Sequence, residues 1–237
     1  MSAERLSIIV PVLNEEAGIA PALQALAPLR WRGAEVIVVD GGSSDRTASL
    51  ARPLADRLIV APRGRAAQMN AGAAAAQGDV LLFLHADTQL PADADRLILD
   101  GLAQTGRGST PAWGRFDVAI TGHHPLFPLI AALMNLRSRA TGIATGDQAI
   151  FVDKTAFAGV GGFPDIALME DIVLSRRLKQ LSRPLCLTAQ ALTSGRRWEK
   201  HGVVRTILTM WRLRLAFFCG AHPDKLAARY GYAPRQR

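Results

Sequence analysis

The sequence predicts an α/β fold: a doubly wound, mostly parallel sheet with helices on both faces, followed by a C-terminal helical tail. Three observations predict it. The runs LSIIVPV from Leu6, EVIVVD from Glu35 and VLLFL from Val80 are almost continuously apolar and rich in Val, Ile and Leu, as strands buried on both faces are. Apolar residues at helical spacing lie between these runs, which makes β-α-β units. A last helix, residues 202–220, carries Val204, Ile207, Leu208, Trp211, Leu215 and Phe218 on one stripe and Met210, Leu213 and Phe217 on another.

The elements follow in order. After the first strand, Ile19, Leu23 and Leu26 recur at helical spacing, with Asn14 as the expected N-cap of a helix over residues 15–26. Glu35 to Asp40 is the second strand, and Ser44 or Asp45 stands where the next N-cap belongs. Residues 57–60 are a short third strand, the alanine-rich residues 66–77 a helix, and VLLFL the fourth strand. Beyond about residue 105 the rhythm changes: a turn-rich loop over 106–111, a half-buried strand over 113–120, an apolar helix over 125–140, a strand over 149–153 and a helix from Glu170. No repeat or linker divides residues 1–237, which read as one domain of two halves and a tail.

Composition narrows the function. With 49% hydrophobic and 20% charged residues the chain is not disordered, and Cys186 and Cys219 make no disulfide framework or zinc-ligand spacing. The strand pattern starting at Leu6 leaves no room for a signal peptide, and no apolar stretch reaches the roughly 18 residues of a spanning helix. The expected location is therefore the cytoplasm. A net charge of +8 suits phosphate-bearing partners. At 6% aromatic residues, with no basic-aromatic platform, nucleic acid is the partner the sequence favours least.

In open α/β sheets ligands bind beyond the carboxyl ends of the strands, so the polar residues after each apolar run are the candidates. Asp40, at a strand end before two glycines, either accepts hydrogen bonds from a nucleotide or belongs to a capped turn. Neither G-x-G-x-x-G at the first turn nor G-x-x-x-x-G-K-[ST] is present, which argues against dehydrogenases and P-loop kinases. Asp87, in His85-Ala86-Asp87, either holds Mg²⁺ or Mn²⁺ or caps its turn. Glu170 and Asp171 open a helix, favourably for its dipole; standing about 100° apart, one can face a ligand as a general base while the other makes structural contacts.

In order, LSIIVPVLNEE, VVDGGSSDRT, GRAAQMNAG, LLFLHADT, GDQAIFV and MEDIVLSRRLK resemble the motifs of family 2 glycosyltransferases of the GT-A fold, over roughly residues 6–181. RRWEKHG and WRLRLAFFCG resemble the tail of small stand-alone bacterial members, including a subgroup associated with arsenosugar biosynthesis. The resemblance implies a nucleotide-binding half to about residue 105, an acceptor and catalytic half over about 106–200, and a basic amphipathic tail over about 201–237. It implies an inverting enzyme that moves a sugar from a nucleotide diphosphate sugar, of the UDP type, to a hydroxyl acceptor.

Residue by residue, it implies donor contacts from Pro11, Asn14, Glu15, Asp40, Arg65, Asn70 and Asp87, with Asp40 reading the base. Asp87 matches the last acid of the family's D-x-D metal motif. His85 replaces the first acid, and imidazole is a poorer ligand for Mg²⁺ than for Mn²⁺. Asp171 matches the catalytic base. Gly146, Asp147, Gln148 and Glu170 match the acceptor side, and Arg196-Arg197-Trp198 a segment that closes over the diphosphate. Residues 202–220 could meet a membrane surface, pack in a homodimer or be buried within the domain. Two other classes stay open: a nucleotide-sugar-binding protein without turnover, and a nucleotidyltransferase.

Overall fold

Successive side chains of a strand point to opposite faces, and the apolar runs use this to build two cores at once. The computed structural model describes residues 5–103 and 111–232; the expected loop over 106–111 falls, except for Pro111, outside the described residues. The elements are β1 (Leu6–Val12), α1 (Ile19–Gln24), α2 (Ala27–Trp31), β2 (Glu35–Asp40), α3 (Thr47–Ala51), β3 (Arg57–Val60), α4 (Arg65–Ala75), β4 (Val80–Phe83) and β5 (Thr88–Gln89). They continue with α5 (Ala94–Ala103), β6 (Trp113–Thr121), α6 (Phe127–Thr141), a 3-10 turn (Gly146–Gln148), β7 (Phe151–Asp153), α7 (Lys154–Gly159) and α8 (Glu170–Leu178). The last are β8 (Leu185–Ser194), α9 (Arg196–His201), α10 (Val203–Phe218) and α11 (Pro223–Tyr230).

One sheet joins the strands in the order β3-β2-β1-β4-β7-β6-β8-β5. β1, β2, β3 and β4 are mutually parallel where they pair, β6 and β8 are parallel, and β7 and β5 run antiparallel to their neighbours. Ile8, Val10, Val36, Val38 and Leu82 pack against Ile19, Leu23 and Leu29 and against Ile98 of α5. Ile9, Ile37, Val39, Leu81 and Phe83 face the other way, onto Ala66, Met69 and Ala73 of α4, Phe157 of α7 and Leu174 and Leu178 of α8. The sheet is thus covered on both faces, as the unbroken apolar runs require. A Cβ at Gly72 would overlap Ile9 and stand 3.0 Å from Val39, so α4 lies close on β1 and β2. That approach holds Arg65, at the start of α4, over the carboxyl ends of those strands.

Several local expectations are corrected. Asn14 caps no helix: it has a φ of 53°, and its side chain ties the loop after β1 to the loop after β2. α1 begins at Ile19 after Gly18, and a break at residues 25–26 separates it from α2. Arg46 occupies the N-cap of α3, although Asp45 Oδ1 accepts from Thr47 N at 2.9 Å. β7 starts only at Phe151, because Ala149 at φ 48° breaks the extended run. β8 escaped the sequence reading altogether. Its residues LCLTAQALTS mix small, polar and apolar side chains on a mostly half-exposed strand, so no period of two stands out.

Candidate active site

β2 and β4 lie on opposite sides of β1, so the chain reverses its direction of travel across the sheet there. A crevice must open beyond the carboxyl end of β1. It is a cleft of about 840 Å³, walled by Pro11 near the end of β1 and Glu15 after it, Arg63 and Arg65 before and in α4, His85 and Asp87 after β4, and Arg197, Asp224 and Tyr232 from the C-terminal segment. A smaller cavity adjoins it. Arg65, His85, Gly146, Glu170 and Asp171 line it. Arg65 and His85 wall both spaces, so the acid pair of α8 and the loops of β1 and β4 meet at one place.

The acid pair is positioned by backbone. Met169, at φ 72°, turns the chain sharply into α8. Asp171 Oδ2 accepts from Gly146 N at 3.1 Å and Oδ1 from Ile172 N at 2.7 Å. Glu170 is 6% exposed, and burial together with the charge of Asp171 pushes its pKa up to about 7, with Arg65 opposing. His85 Nδ1 lies 3.7 Å from Asp147 Oδ1. Asp147 is held below the usual carboxylate range: loss of solvent opposes its charge, but His85, Arg65 and Arg214 outweigh that. The His85 ring packs so tightly on the turn that a Cβ at Gly146 would overlap it. Glu15 is raised above its ordinary value by burial and then by the charge of Asp87, and both carboxylates line the cleft. Among the described residues no three His, Cys, Asp or Glu side chains form a cage for an ion.

The other expected residues divide clearly. Asp40 is buried, and its carboxylate accepts from Ser43 N and Ser43 Oγ; it does not line the cleft. Asn14 Oδ1 accepts from Ser44 N at 2.9 Å while its own N–H donates to Ser43 Oγ. Asn70 closes a two-way pair with Phe163, 2.8 and 3.0 Å, bracing the loop before α8. Gln148 is fully buried and completes the capping box of the turn with Thr145. Arg197 reaches the cleft, whereas Arg196 donates to Ser194 Oγ and Trp198 packs against Phe127, Ile130 and Val203. The segment expected to close over the diphosphate is helix α9.

Residues that the sequence did not mark also converge here. Tyr230 and Tyr232 stack at 5.8 Å between two guanidiniums: Arg197 lies 3.7 Å from the Tyr230 ring and Arg65 5.1 Å from that of Tyr232. Arg137 on α6 and Arg214 on α10 keep buried guanidinium nitrogens without a hydrogen-bond partner, Nε and Nη2 of the first and Nε of the second. Burial and the charge of Arg214 push the pKa of Arg137 down to about 10, against the pull of Asp171 and Asp147.

The model of the family described as "Glycosyl transferase family 2" matches residues 7–154. The probable glycosyltransferase YdaM of Bacillus subtilis is 26% identical over 235 residues, covering 89% of this chain and 53% of its own length. The PGL/p-HBAD biosynthesis glycosyltransferase Rv2957 of Mycobacterium tuberculosis is 38% identical over 97 residues, 38% of either chain. The match thus spans about half or less of these curated relatives. Two solved structures share the fold along nearly the whole chain. The mannosyltransferase PcManGT from Pyrobaculum calidifontis, in complex with GDP-Man and Mn²⁺, has a TM-score of 0.64 at 23% identity and covers 99% of this chain and 67% of its own. Glucosyl-3-phosphoglycerate synthase from Mycobacterium tuberculosis, in complex with Mn²⁺, UDP and glucosyl-3-phosphoglycerate, has a TM-score of 0.62 at 20% identity and covers 98% and 82%.

Proposed function

Because this chain belongs to glycosyl transferase family 2 and carries the GT-A fold, we propose that it transfers a sugar from a nucleotide diphosphate sugar, of the UDP type, to a hydroxyl acceptor with inversion. One observation carries the reading: Arg65 and His85 wall both the nucleotide-sized cleft and the cavity that holds Glu170 and Asp171. A nucleotide-binding module has no use for an acid pair beneath its cleft. A transferase needs a base on the side of the anomeric carbon away from the leaving group.

In this reading Pro11, Glu15 and Arg65 hold the donor, and Arg65 with Arg197 offers cationic charge to the departing diphosphate. Asp40, Asn14 and Asn70 shape the loops that meet the nucleotide; Asp40 reads the base once Ser43 yields to it. Asp171, both of whose oxygens are fixed by backbone N–H groups, accepts the proton of the acceptor hydroxyl. Glu170 is the alternative base, favoured by a pKa near 7, while Asp147 and Gly146 orient the acceptor.

The residues present fit a divalent cation of the kind the structural neighbours carry. Asp87 is exposed just after β4 in the cleft that Glu15 also lines, and Mg²⁺ or Mn²⁺ asks for only one or two carboxylates when phosphates complete its shell. Asp87, with His85 beside it, would hold the ion, which would supply charge stabilisation at the leaving diphosphate. The RRWEKHG and WRLRLAFFCG segments support placement near the members associated with arsenosugar biosynthesis.

The test is calorimetric titration with UDP, GDP, TDP and CDP and their sugar conjugates, each with Mn²⁺, Mg²⁺ or chelator. Metal-dependent binding of one nucleotide, with tighter binding of its sugar conjugate, is expected. Absence of binding to every nucleotide would overturn the donor assignment; binding without any transfer to a broad set of hydroxyl acceptors would leave a nucleotide-sugar-binding protein.

A further inference from the structure

α6 and α10 each leave an apolar face in water. On α6 it is Leu126, Leu129, Leu133 and Leu136, and on α10 it is Val204, Leu208, Trp211, Leu215 and Phe218, with Trp211 68% exposed. The spacing of three and four puts each set within about 60° of one line along its helix. The two helices share one apolar cluster, which holds Ile130 and Met134 of α6 with Val203 and Ile207 of α10. Their exposed faces therefore form adjoining strips of one surface. Such a patch on a monomer marks an interaction site.

Charge identifies what covers it. At about 100° per residue, Arg205 and Arg212 edge the α10 strip on one side and Arg214 on the other; Arg137 edges the α6 strip, while Arg139 beyond it is paired with Asp117 at 2.6 Å. No Asp or Glu occurs between residues 118 and 146, or from 200 to 223. A second copy set against this face would bring arginines onto arginines. An anionic lipid surface takes the apolar strips and the guanidinium edges together.

The same helices reach the catalytic cavity. Asn135, two residues before Arg137, holds the Asp147 turn through Gln148 Nε2 at 3.4 Å. Leu213, next to Arg214, packs among Met169 and Ile172, which bracket Glu170 and Asp171. Arg137 feels the charges of Arg214, Asp171 and Asp147, and both arginines keep buried N–H groups without an acceptor.

We propose that the acceptor is an anionic lipid, whose phosphate lies on Arg137 and Arg214, whose chains lie along α6 and α10, and whose head-group hydroxyl is offered to Asp171. This rests on the transferase reading for the role of Asp171 and on the surface alone for the lipid.

The test is co-sedimentation of the full chain with vesicles of phosphatidylcholine alone or doped with phosphatidylglycerol, together with UDP titration of each variant. The wild type is expected to bind the doped vesicles and not the plain ones. Trp211→Ser with Leu215→Ser should abolish sedimentation, since both are exposed and their loss leaves the fold intact. Arg137→Gln with Arg214→Gln should weaken it about thirtyfold, near the worth of two cations at an anionic surface, and should leave UDP binding unchanged. Equal binding to both vesicle types, no binding to either, displacement by soluble glycerol phosphate, or a dimer in light scattering that the Trp211 variant dissolves would each overturn the proposal. Failure of UDP to bind the wild type would instead sink the donor reading and leave the vesicle result standing.

Discussion

Gly146 donates its backbone N–H to Asp171 Oδ2 at 3.1 Å, joining the turn that carries Asp147 to the first turn of α8. With Ile172 N on Oδ1, the carboxylate is fixed before any ligand arrives. Orientation of this kind lets a base act without a reorganisation cost at the moment of proton transfer. Asp171→Asn keeps an oxygen for Gly146 but sets its amide NH2 against Ile172 N–H, so it should lose about 1 kcal/mol of stability yet bind donor as the wild type does. Lacking a basic oxygen, it should lose roughly 10²–10⁴-fold in kcat. A turnover within a few-fold of wild type would remove Asp171 from the mechanism and turn attention to Glu170.

Glu170 makes a separate prediction about pH. Its pKa rises from 4.5 to about 7 because burial and Asp171 disfavour its charge, so the folded chain holds the proton more tightly than the unfolded chain does. Between these values the folded state binds more protons, and stability falls as pH rises through the window. Glu170→Gln removes the ionisation. Its melting temperature, relative to wild type, should therefore rise from about pH 5 to about pH 8, by an amount worth on the order of 1–3 kcal/mol. A difference that stays flat across that range would show that Glu170 is not held protonated by its surroundings.

Gly146 is required by contact. Its φ is unexceptional, yet a Cβ there would overlap the His85 ring, which is itself held against Asp147. Gly146→Ala should displace the ring and the Asp171 anchor, costing about 1–3 kcal/mol of stability and most of the activity. Adding His85→Ala should restore stability by making room. If the single variant melts with the wild type, the turn yields more easily than its packing implies.

How much of this was legible follows from what each residue contacts. The buried strands announce themselves because both faces are covered, and Glu170 with Asp171 stands out at a helix start. Asn14 and Asn70 sit at family positions, but their amide groups tie loop to loop, a role that sequence spacing does not distinguish from ligand contact. Trp198 was read as a cleft residue because aromatic and basic neighbours look alike in a loop or a helix; only the Phe127 cluster shows where it faces. Arg137 and Arg214 sit inside amphipathic helices, where an arginine reads as ordinary surface. Tyr232 reaches the cleft only because the segment after α11 folds back across more than 160 residues of chain to Arg65, with Tyr230 stacked behind it.

Asp87 should separate metal from nucleotide. Its carboxylate is exposed at the mouth, so Asp87→Ala leaves the fold alone. Donor affinity in Mn²⁺ should drop at least about tenfold, and the residual binding should no longer respond to chelator. Glu15, relieved of its neighbour, should then titrate closer to its ordinary value. Binding that remains fully metal-responsive in the variant would move the cation to other ligands.

The tyrosine stack gives the last prediction. Arg65 has two demands on it, since it walls both cavities and also lies over Tyr232 at 5.1 Å. An arginine side chain loses considerable rotamer freedom when it is held for a ligand, and the aromatic face meets part of that loss in advance. Tyr232→Ala should therefore weaken donor binding by about 0.5–1 kcal/mol through Arg65, with little effect on melting, because Tyr232 is only half-buried. Tyr232→Phe keeps the ring face and should bind donor as the wild type does. If both variants bind alike and weakly, it is the hydroxyl that matters; if both bind like wild type, the stack does not hold Arg65 for the donor.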